Sequence, residues 1–176
     1  FSSRCCQHNH TQGWPYFTEN LWMATPDNGL AGVIYAPSIV NAKVGDNTNI
    51  SVTNKTNYPF SEDLIFNIET DKPDVFPIYF RIPSWCKKSK VFINGKAIKT
   101  QIEAGKFLKI KREWSNGDIV KLILPKDISV KKWEKNHNSV SVNYGPLTFS
   151  LNIKERYLEK SSDKTAIGDS RWQEDV

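Results

Sequence analysis

The sequence is poor in cysteine, histidine and methionine, with three, three and one of them among 176 residues. Three cysteines cannot form a disulfide scaffold. No stretch of about 20 apolar residues occurs, which excludes a transmembrane helix. No signal peptide is visible and the first residue is not methionine, so we expect Phe1 to mark a processed or truncated start.

The sequence also lacks a strong excess of charge of one sign. Lys and Arg number 24 against 19 Asp and Glu, which gives a net charge of +5. The densest basic run, residues 126–135, is interrupted by Asp127 and Glu134. Scattered basic residues of this kind indicate a solvated surface, and we predict no nucleic-acid partner.

From residue 30 onward, apolar residues recur with a period of two, as in half-buried strands. About ten such short segments, separated by turn residues, predict an all-β fold, an antiparallel β-sandwich. The residues predicted to form its core are Leu64, Phe66, Phe80, Ile93, Val120, Leu122, Val142 and Phe149.

Two turn sequences predict hairpins. Asn94-Gly95 lies between the predicted strands Lys90–Ile93 and Ala97–Ile102. The second, residues 115–117, lies between Phe107–Lys111 and Asp118–Leu124.

A short aromatic helix is predicted over residues 14–24, before the strands. Pro15 suits its first turn, and the turn at residues 26–29 would end it. Because this stub is apolar nearly all round and too short to be stable alone, we expect it to be buried by neighbouring helices.

Cys5 and Cys6 are the most reactive pair in the sequence. Adjacent Cα atoms lie about 3.8 Å apart, too close for an ordinary disulfide. Two neighbouring thiolates can share one zinc ion, and His8 and His10 could complete a local site. The alternative is a pair of small buried hydrophobic residues, and the residues alone leave both interpretations open.

Four tryptophans raise the question of sugar binding. Trp85 and Trp114 lie at strand ends, where core packing is the favoured interpretation. Trp133 and Trp172 lie in polar segments and are the better candidates for an exposed platform. Cys86 is predicted to be a lone thiol or core residue, and His137 a loop residue.

Several segments resemble glycoside hydrolase family 127, the β-L-arabinofuranosidases. These segments occur in the same order as in the family and cover most of the chain. They are Cys5-Cys6-Gln7-His8-Asn9, Gly13-Trp14-Pro15-Tyr16, Arg81–Trp85, Val91–Gly95, Arg112–Trp114 with Gly117-Asp118, and Tyr144–Leu147.

The resemblance implies a zinc-thiolate glycosidase in which a helical barrel carries the active site and β-sandwiches follow. Cys5 would be the nucleophile and a zinc ligand, and Cys6 a second zinc ligand. The other ligands, a glutamate and a third cysteine, and the glutamate acid/base belong to the barrel and have no counterpart here. His8, Asn9 and His10 are the predicted substrate-binding residues.

The resemblance also implies a division of the chain. Residues 1–27 would be a remnant of the barrel, residues 28–153 a β-sandwich, and residues 154–176 a polar segment that ends in a truncation. The parent enzyme would hold zinc, act on a plant-type arabinose-containing glycan, and be periplasmic or secreted. The isolated chain is expected to hold no zinc. The alternatives are a stand-alone carbohydrate-binding module and a structural interaction domain.

Overall fold

The computed structural model describes Asn9, residues 11–154 and Arg156. These residues fall into two compact units: residues 19–150 form one, and the described residues before 19 and after 150 belong to the other. The described chain consists mainly of strands, with one short helix, α1 (Gly13–Glu19). The all-β prediction is therefore confirmed. None of the described helical residues forms a helix long and apolar enough to cross a membrane.

The strands of the described residues follow one another in this order: β1 (Trp22–Ala24), β2 (Leu30–Gly32), β3 (Ser38–Val44), β4 (Thr48–Thr56), β5 (Asp63–Thr70), β6 (Asp74–Arg81), β7 (Lys90–Ile93), β8 (Lys96–Ala97), β9 (Phe107–Trp114), β10 (Asp118–Ile123), β11 (Ile128–Trp133), β12 (Ser139–Tyr144) and β13 (Leu147–Phe149).

Three sheets are built from these strands. The first has the order β1-β2-β6-β9, the second β3-β4-β5-β10-β7-β8, and the third β11-β12-β13. Neighbouring strands are antiparallel except β2 and β6, which run parallel. The first two sheets pack face to face and form the sandwich.

The core of the sandwich is formed by the inward side chains of both sheets, in one continuous cluster. Phe66 of the second sheet packs on Phe80 of the first with ring centroids 4.8 Å apart. The Trp114 side chain is fully buried, and its indole N–H donates to the Phe76 carbonyl at 3.0 Å. A buried indole thus keeps its polar group satisfied, as burial requires.

Six of the eight predicted core residues are buried as expected, namely Leu64, Phe66, Phe80, Ile93, Val120 and Leu122. The other two predictions are wrong: Val142 is half-buried and Phe149 is exposed. Both lie in the third sheet, which is not a layer of the two-sheet core.

The two predicted hairpins have different outcomes. Asn94 and Gly95 both have positive φ and connect the paired strands β7 and β8, so this hairpin is confirmed. The turn at residues 115–117 instead joins strands of different sheets, because β9 pairs with β6 and β10 pairs with β5 and β7. Both strands point an apolar stripe at the same core from opposite sides.

The predicted helix over residues 14–24 is too long. Helix α1 ends at Glu19, and Trp22–Ala24 is strand β1, paired with β2. Trp22 turns inward and packs edge-on against Phe66, while Met23 is exposed. Trp22 and Met23, which seemed to extend the apolar helix, therefore lie on the two alternating faces of a strand.

Lys126 connects the third sheet to the sandwich. Its buried Nζ donates to the carbonyls of Pro59 and Phe60 at 2.9 and 3.1 Å and lies 4.8 Å from the centre of the Tyr144 ring. A Cβ at Gly145 would lie only 2.6 Å from Cγ of Lys126, so this turn needs glycine.

Candidate functional site

Four of the five predicted site residues lie outside the described residues. These are Cys5, Cys6, His8 and His10. Asn9 is described, is exposed, and accepts a hydrogen bond from the Gln12 amide at 3.2 Å. The roles proposed for these residues therefore remain predictions.

The helix that follows the cysteine pair carries an aromatic surface. Trp14 and Tyr16 are 59% and 69% exposed, and Phe17 is 37% exposed. Trp14 and Phe17 form an edge-to-face pair with centroids 6.0 Å apart. Three large aromatic side chains on a seven-residue helix are an unusual amount of apolar surface to leave in water, and such surface typically marks an interaction site.

A polar cluster lies on the outer face of the first sheet. The Asp27 carboxylate accepts hydrogen bonds from Thr25 Oγ1 at 2.6 Å, Tyr79 Oη at 2.7 Å and Lys109 Nζ at 2.8 Å. Tyr79 and Lys109 are directly opposite each other on β6 and β9. Gly29 makes this geometry possible, because a Cβ there would lie 2.3 Å from the Pro77 carbonyl oxygen.

The electrostatics of this cluster favour a fixed ion pair. The hydrogen bond from Lys109, followed by those from Thr25 and Tyr79, holds the pKa of Asp27 well below its usual range. The same contact with Asp27 raises the pKa of Lys109. Neither group exchanges a proton near neutral pH, so the cluster anchors the turn at residues 25–29 to the sheet and has no role as an acid or base.

Sequence reasoning did not single out this cluster. Asp27 is separated by more than 50 residues from Tyr79 and by more than 80 from Lys109. The register of β6 against β9 places Tyr79 beside Lys109, and the turn between β1 and β2 adds Asp27; the sequence reveals neither arrangement.

Other candidate ligands are dispersed. Within the described residues, no three His, Cys, Asp or Glu side chains meet in a way that could hold a metal ion. Cys86 is buried in the sandwich core, which agrees with its prediction as a core residue. Burial raises the pKa of its thiol. His137 occupies a turn with positive φ, which confirms the loop prediction.

The described tryptophans divide into core and exposed residues, as the sequence suggested. Trp114 is in the core, and Trp85 packs against it. Trp133 is exposed, but its indole N–H donates to Ser141 Oγ at 3.1 Å and Lys131 Nζ lies 3.7 Å from the ring centre. Lys131 therefore covers one face of this ring, and the role of Trp133 as a sugar platform stays a prediction. Trp172 lies outside the described residues.

The third sheet has one apolar and one polar face. The pairings place the side chains of Ile128, Val130, Val140, Val142, Tyr144, Leu147 and Phe149 together, on the side opposite Ser129, Ser141 and Asn143. Ile128 and Val130 are 71% and 64% exposed. An apolar face of this extent is a surface that normally has a partner.

Comparison with known proteins identifies the sandwich. Residues 29–126 match the family model for the β-L-arabinofuranosidase GH127 middle domain. No curated protein matches the chain. A crystal structure of a GH127 β-L-arabinofuranosidase from Geobacillus stearothermophilus is similar, with a TM-score of 0.75 and 26% identity over 84% of this chain.

Two further solved structures share the fold. A glycoside hydrolase has a TM-score of 0.74 at 24% identity, and a GH127 β-arabinofuranosidase has a TM-score of 0.72 at 22% identity, each over 84% of this chain. The chain spans about a quarter of the length of these relatives, 24%, 25% and 26% in the order given. Since the family model matches more than half of its residues, the chain belongs to the GH127 β-L-arabinofuranosidase family, of which it contains the middle domain.

Proposed function

We propose that this chain is the β-sandwich portion of a retaining glycoside hydrolase and supports a helical catalytic barrel supplied by a longer polypeptide. The match to a middle domain carries this proposal, because a middle domain implies further parts of the protein on both sides. The relatives are more than three times as long as this chain. Alone, the chain is inactive.

Two exposed apolar surfaces support the proposal that the sandwich packs against other parts of a longer protein. The aromatic side chains of α1 and the apolar face of the third sheet are both exposed. Apolar area of this kind is stabilised by burial at about 25 cal/mol per Å². Further residues of the longer polypeptide would cover these surfaces, which would fix the sandwich to its neighbours.

The proposed chemistry is a two-step displacement with retention. The Cys5 thiolate attacks the anomeric carbon of an arabinofuranoside while a carboxylic acid of the barrel protonates the leaving oxygen. Water then hydrolyses the thioglycoside. His8, Asn9 and His10 would contact the sugar, which belongs to a plant-type arabinose-containing glycan. A periplasmic or secreted location fits such a substrate.

The residues of this chain would supply only part of a zinc site. Cys5 and Cys6 would supply two thiolates, which is half of a tetrahedral shell, so the remaining donors must come from the barrel. Bound zinc would hold the Cys5 thiol in its deprotonated form. We therefore expect no tight zinc in the isolated chain. Metal analysis of protein purified without added zinc checks this, and one zinc per chain that is lost in both Cys6→Ser and His8→Ala would contradict it.

Turnover of an aryl β-L-arabinofuranoside tests the proposed function in two proteins. The purified 176-residue chain should show none. The longer polypeptide should be active and lose turnover in Cys5→Ala, whereas Cys86→Ala, a matched cysteine removal in the sandwich core, should keep it. Activity of the isolated chain that disappears in Cys5→Ala would overturn the proposal, as would full activity of Cys5→Ala in the longer polypeptide.

A further inference from the structure

An open groove that carries several polar side chains lies on the outer face of the second sheet, where β3, β4 and β5 run side by side. Its volume is about 570 Å³. The strand pairings align Asn41, Ser51 and Glu69 in one row across the three strands. Lys43 and Asn49 face each other in the next row. Because β3 is the edge strand of its sheet, the groove is open on one side.

The end of the groove is fixed by its own hydrogen bonds. Asn49 Nδ2 donates to Asp71 Oδ2 at 2.8 Å, and the Thr70 amide donates to Asn116 Oδ1 at 3.2 Å. These contacts tie the turns at Asp71 and Asn116 to the strands. The amide of Asn116 keeps its N–H donors on the groove wall.

The central row, in contrast, has free polar groups. Within the described residues, Asn41, Ser51 and Glu69 form no side-chain hydrogen bond or ion pair. The Asn41 amide both donates and accepts, the Ser51 hydroxyl does the same, and the Glu69 carboxylate accepts. Three such groups in register on rigid strands present a fixed pattern to a ligand.

The charges of the groove favour a neutral ligand. The groove is lined by the ammonium group of Lys43 and by the carboxylates of Glu69 and Asp71, so neither a polyanion nor a metal cation finds a wall of opposite charge. Mixed donors and acceptors suit hydroxyl groups, each of which both donates and accepts. The volume lies within the range of about 300–1,000 Å³ that is usual for ligand sites.

From these features we infer that the groove binds a neutral oligosaccharide, with Asn41, Ser51 and Glu69 as its hydrogen-bonding row. The inference goes beyond the proposed hydrolytic function, because binding here requires no catalytic residue. The sandwich would hold a stretch of the glycan on the outer face of its larger sheet.

The test is an NMR titration of the ¹⁵N-labelled 176-residue chain, in EDTA, with a linear arabino-oligosaccharide. Xylohexaose and a sulfated heparin hexasaccharide serve as further probes. We expect saturable shift changes on β3, β4 and β5 and at the Asn41 and Asn116 side-chain amides, with a dissociation constant of about 1 mM or below. The neutral probes should bind and the sulfated probe should not.

Two double variants give the control. Asn41→Ala with Glu69→Gln should weaken binding about five- to tenfold, which corresponds to the loss of one or two hydrogen bonds. Asn143→Ala with Glu113→Gln makes equivalent changes outside the groove and should leave binding unchanged. Equal thermal midpoints of the two variants exclude unfolding as the cause.

Three results would overturn the inference: no saturable shift with either neutral probe, equal affinity of the two double variants, or preference for the sulfated probe. Because the titration measures no turnover, its failure leaves the proposed hydrolase role untouched. Failure of the activity test would likewise leave the groove intact.

Discussion

The sandwich and the third sheet follow the same sequence pattern and differ in what covers their apolar faces. In the sandwich, alternating residues of two sheets meet each other, and Phe66 is 0% exposed. In the third sheet, the same alternation places Phe149 on the apolar face, where this residue is 55% exposed. The pattern shows which side chains share a face and leaves open what that face contacts.

The two regions also differ in how they are attached. Many apolar contacts join the two sheets of the sandwich. Lys126 links the third sheet to the sandwich, and its ammonium group contacts two loop carbonyls and the Tyr144 ring. These contacts of one ammonium group fix the position of the sheet and add little hydrophobic stabilisation, and the apolar face of the sheet stays exposed.

The largest expected effect compares equivalent phenylalanines of the two regions. Phe66→Ala should lower the free energy of unfolding by about 3–5 kcal/mol, because it removes a fully buried ring and leaves a cavity. Phe149→Ala should lower it by less than about 1 kcal/mol, because its ring is largely in water already. Urea unfolding followed by tryptophan fluorescence measures both. Equal losses would show that the third sheet is part of the cooperative core.

The next effect concerns the attachment of the third sheet. Lys126→Met should cost about 1.5–3 kcal/mol, because two carbonyls lose a charged donor in a buried setting. Lys131→Met removes a lysine whose ammonium group lies over the exposed Trp133 ring and should change stability by less than about 0.5 kcal/mol. The same urea measurement applies. A Lys126→Met protein as stable as the native chain would mean that other contacts hold the third sheet.

The strands were predictable because their signal is local. Thr48–Thr56 alternates between buried and less buried side chains along most of its length, and Asn94-Gly95 has the backbone conformation its turn requires. Pairing between distant segments was not predictable. The turn at residues 115–117 has the composition of a hairpin turn but crosses between sheets. Apolar and polar residues alternate in the same way in a strand that pairs with its neighbour and in a strand that faces its neighbour across a core, so the pattern cannot tell the two apart.

The candidate sites show the same division. The cysteine pair stood out in the sequence because two adjacent thiols are a local feature. Asn41, Ser51 and Glu69 are ordinary residues 10 and 18 positions apart, and only the pairing of three strands makes them a row. A site assembled by sheet register leaves no signature along the chain.

A smaller effect should appear in the binding of a hydrophobic dye. Val130→Lys introduces a charge into the apolar face of the third sheet and should lower anilinonaphthalene sulfonate fluorescence by roughly a third. Ser129→Lys places the same charge on the polar face and should leave it unchanged. Unaltered dye fluorescence in Val130→Lys would show that this face is not the accessible apolar surface.

The smallest effect is the pH dependence of the Asp27 cluster on the first sheet. Because the folded pKa of Asp27 lies below its unfolded value of about 3.9, the ionised carboxylate stabilises the fold above that pH. This contribution is lost as the pH falls toward the folded pKa. Asp27→Asn should therefore have a lower urea midpoint than the native chain at pH 7, and the difference should narrow at pH 3.

The solvent exposure of the cluster keeps this difference small, because water and salt screen Asp27 and Lys109. Asp127→Asn is the matched control: Asp127 lies 4.0 Å from Lys88, both side chains are highly exposed, and the midpoint should not move at either pH. A difference for Asp27→Asn that widened at pH 3 would reverse the sign and show that the carboxylate is held in its protonated form. If no difference appeared at pH 7, the turn at residues 25–29 would owe its position to the close packing of Gly29 against Pro77 instead of to the ion pair.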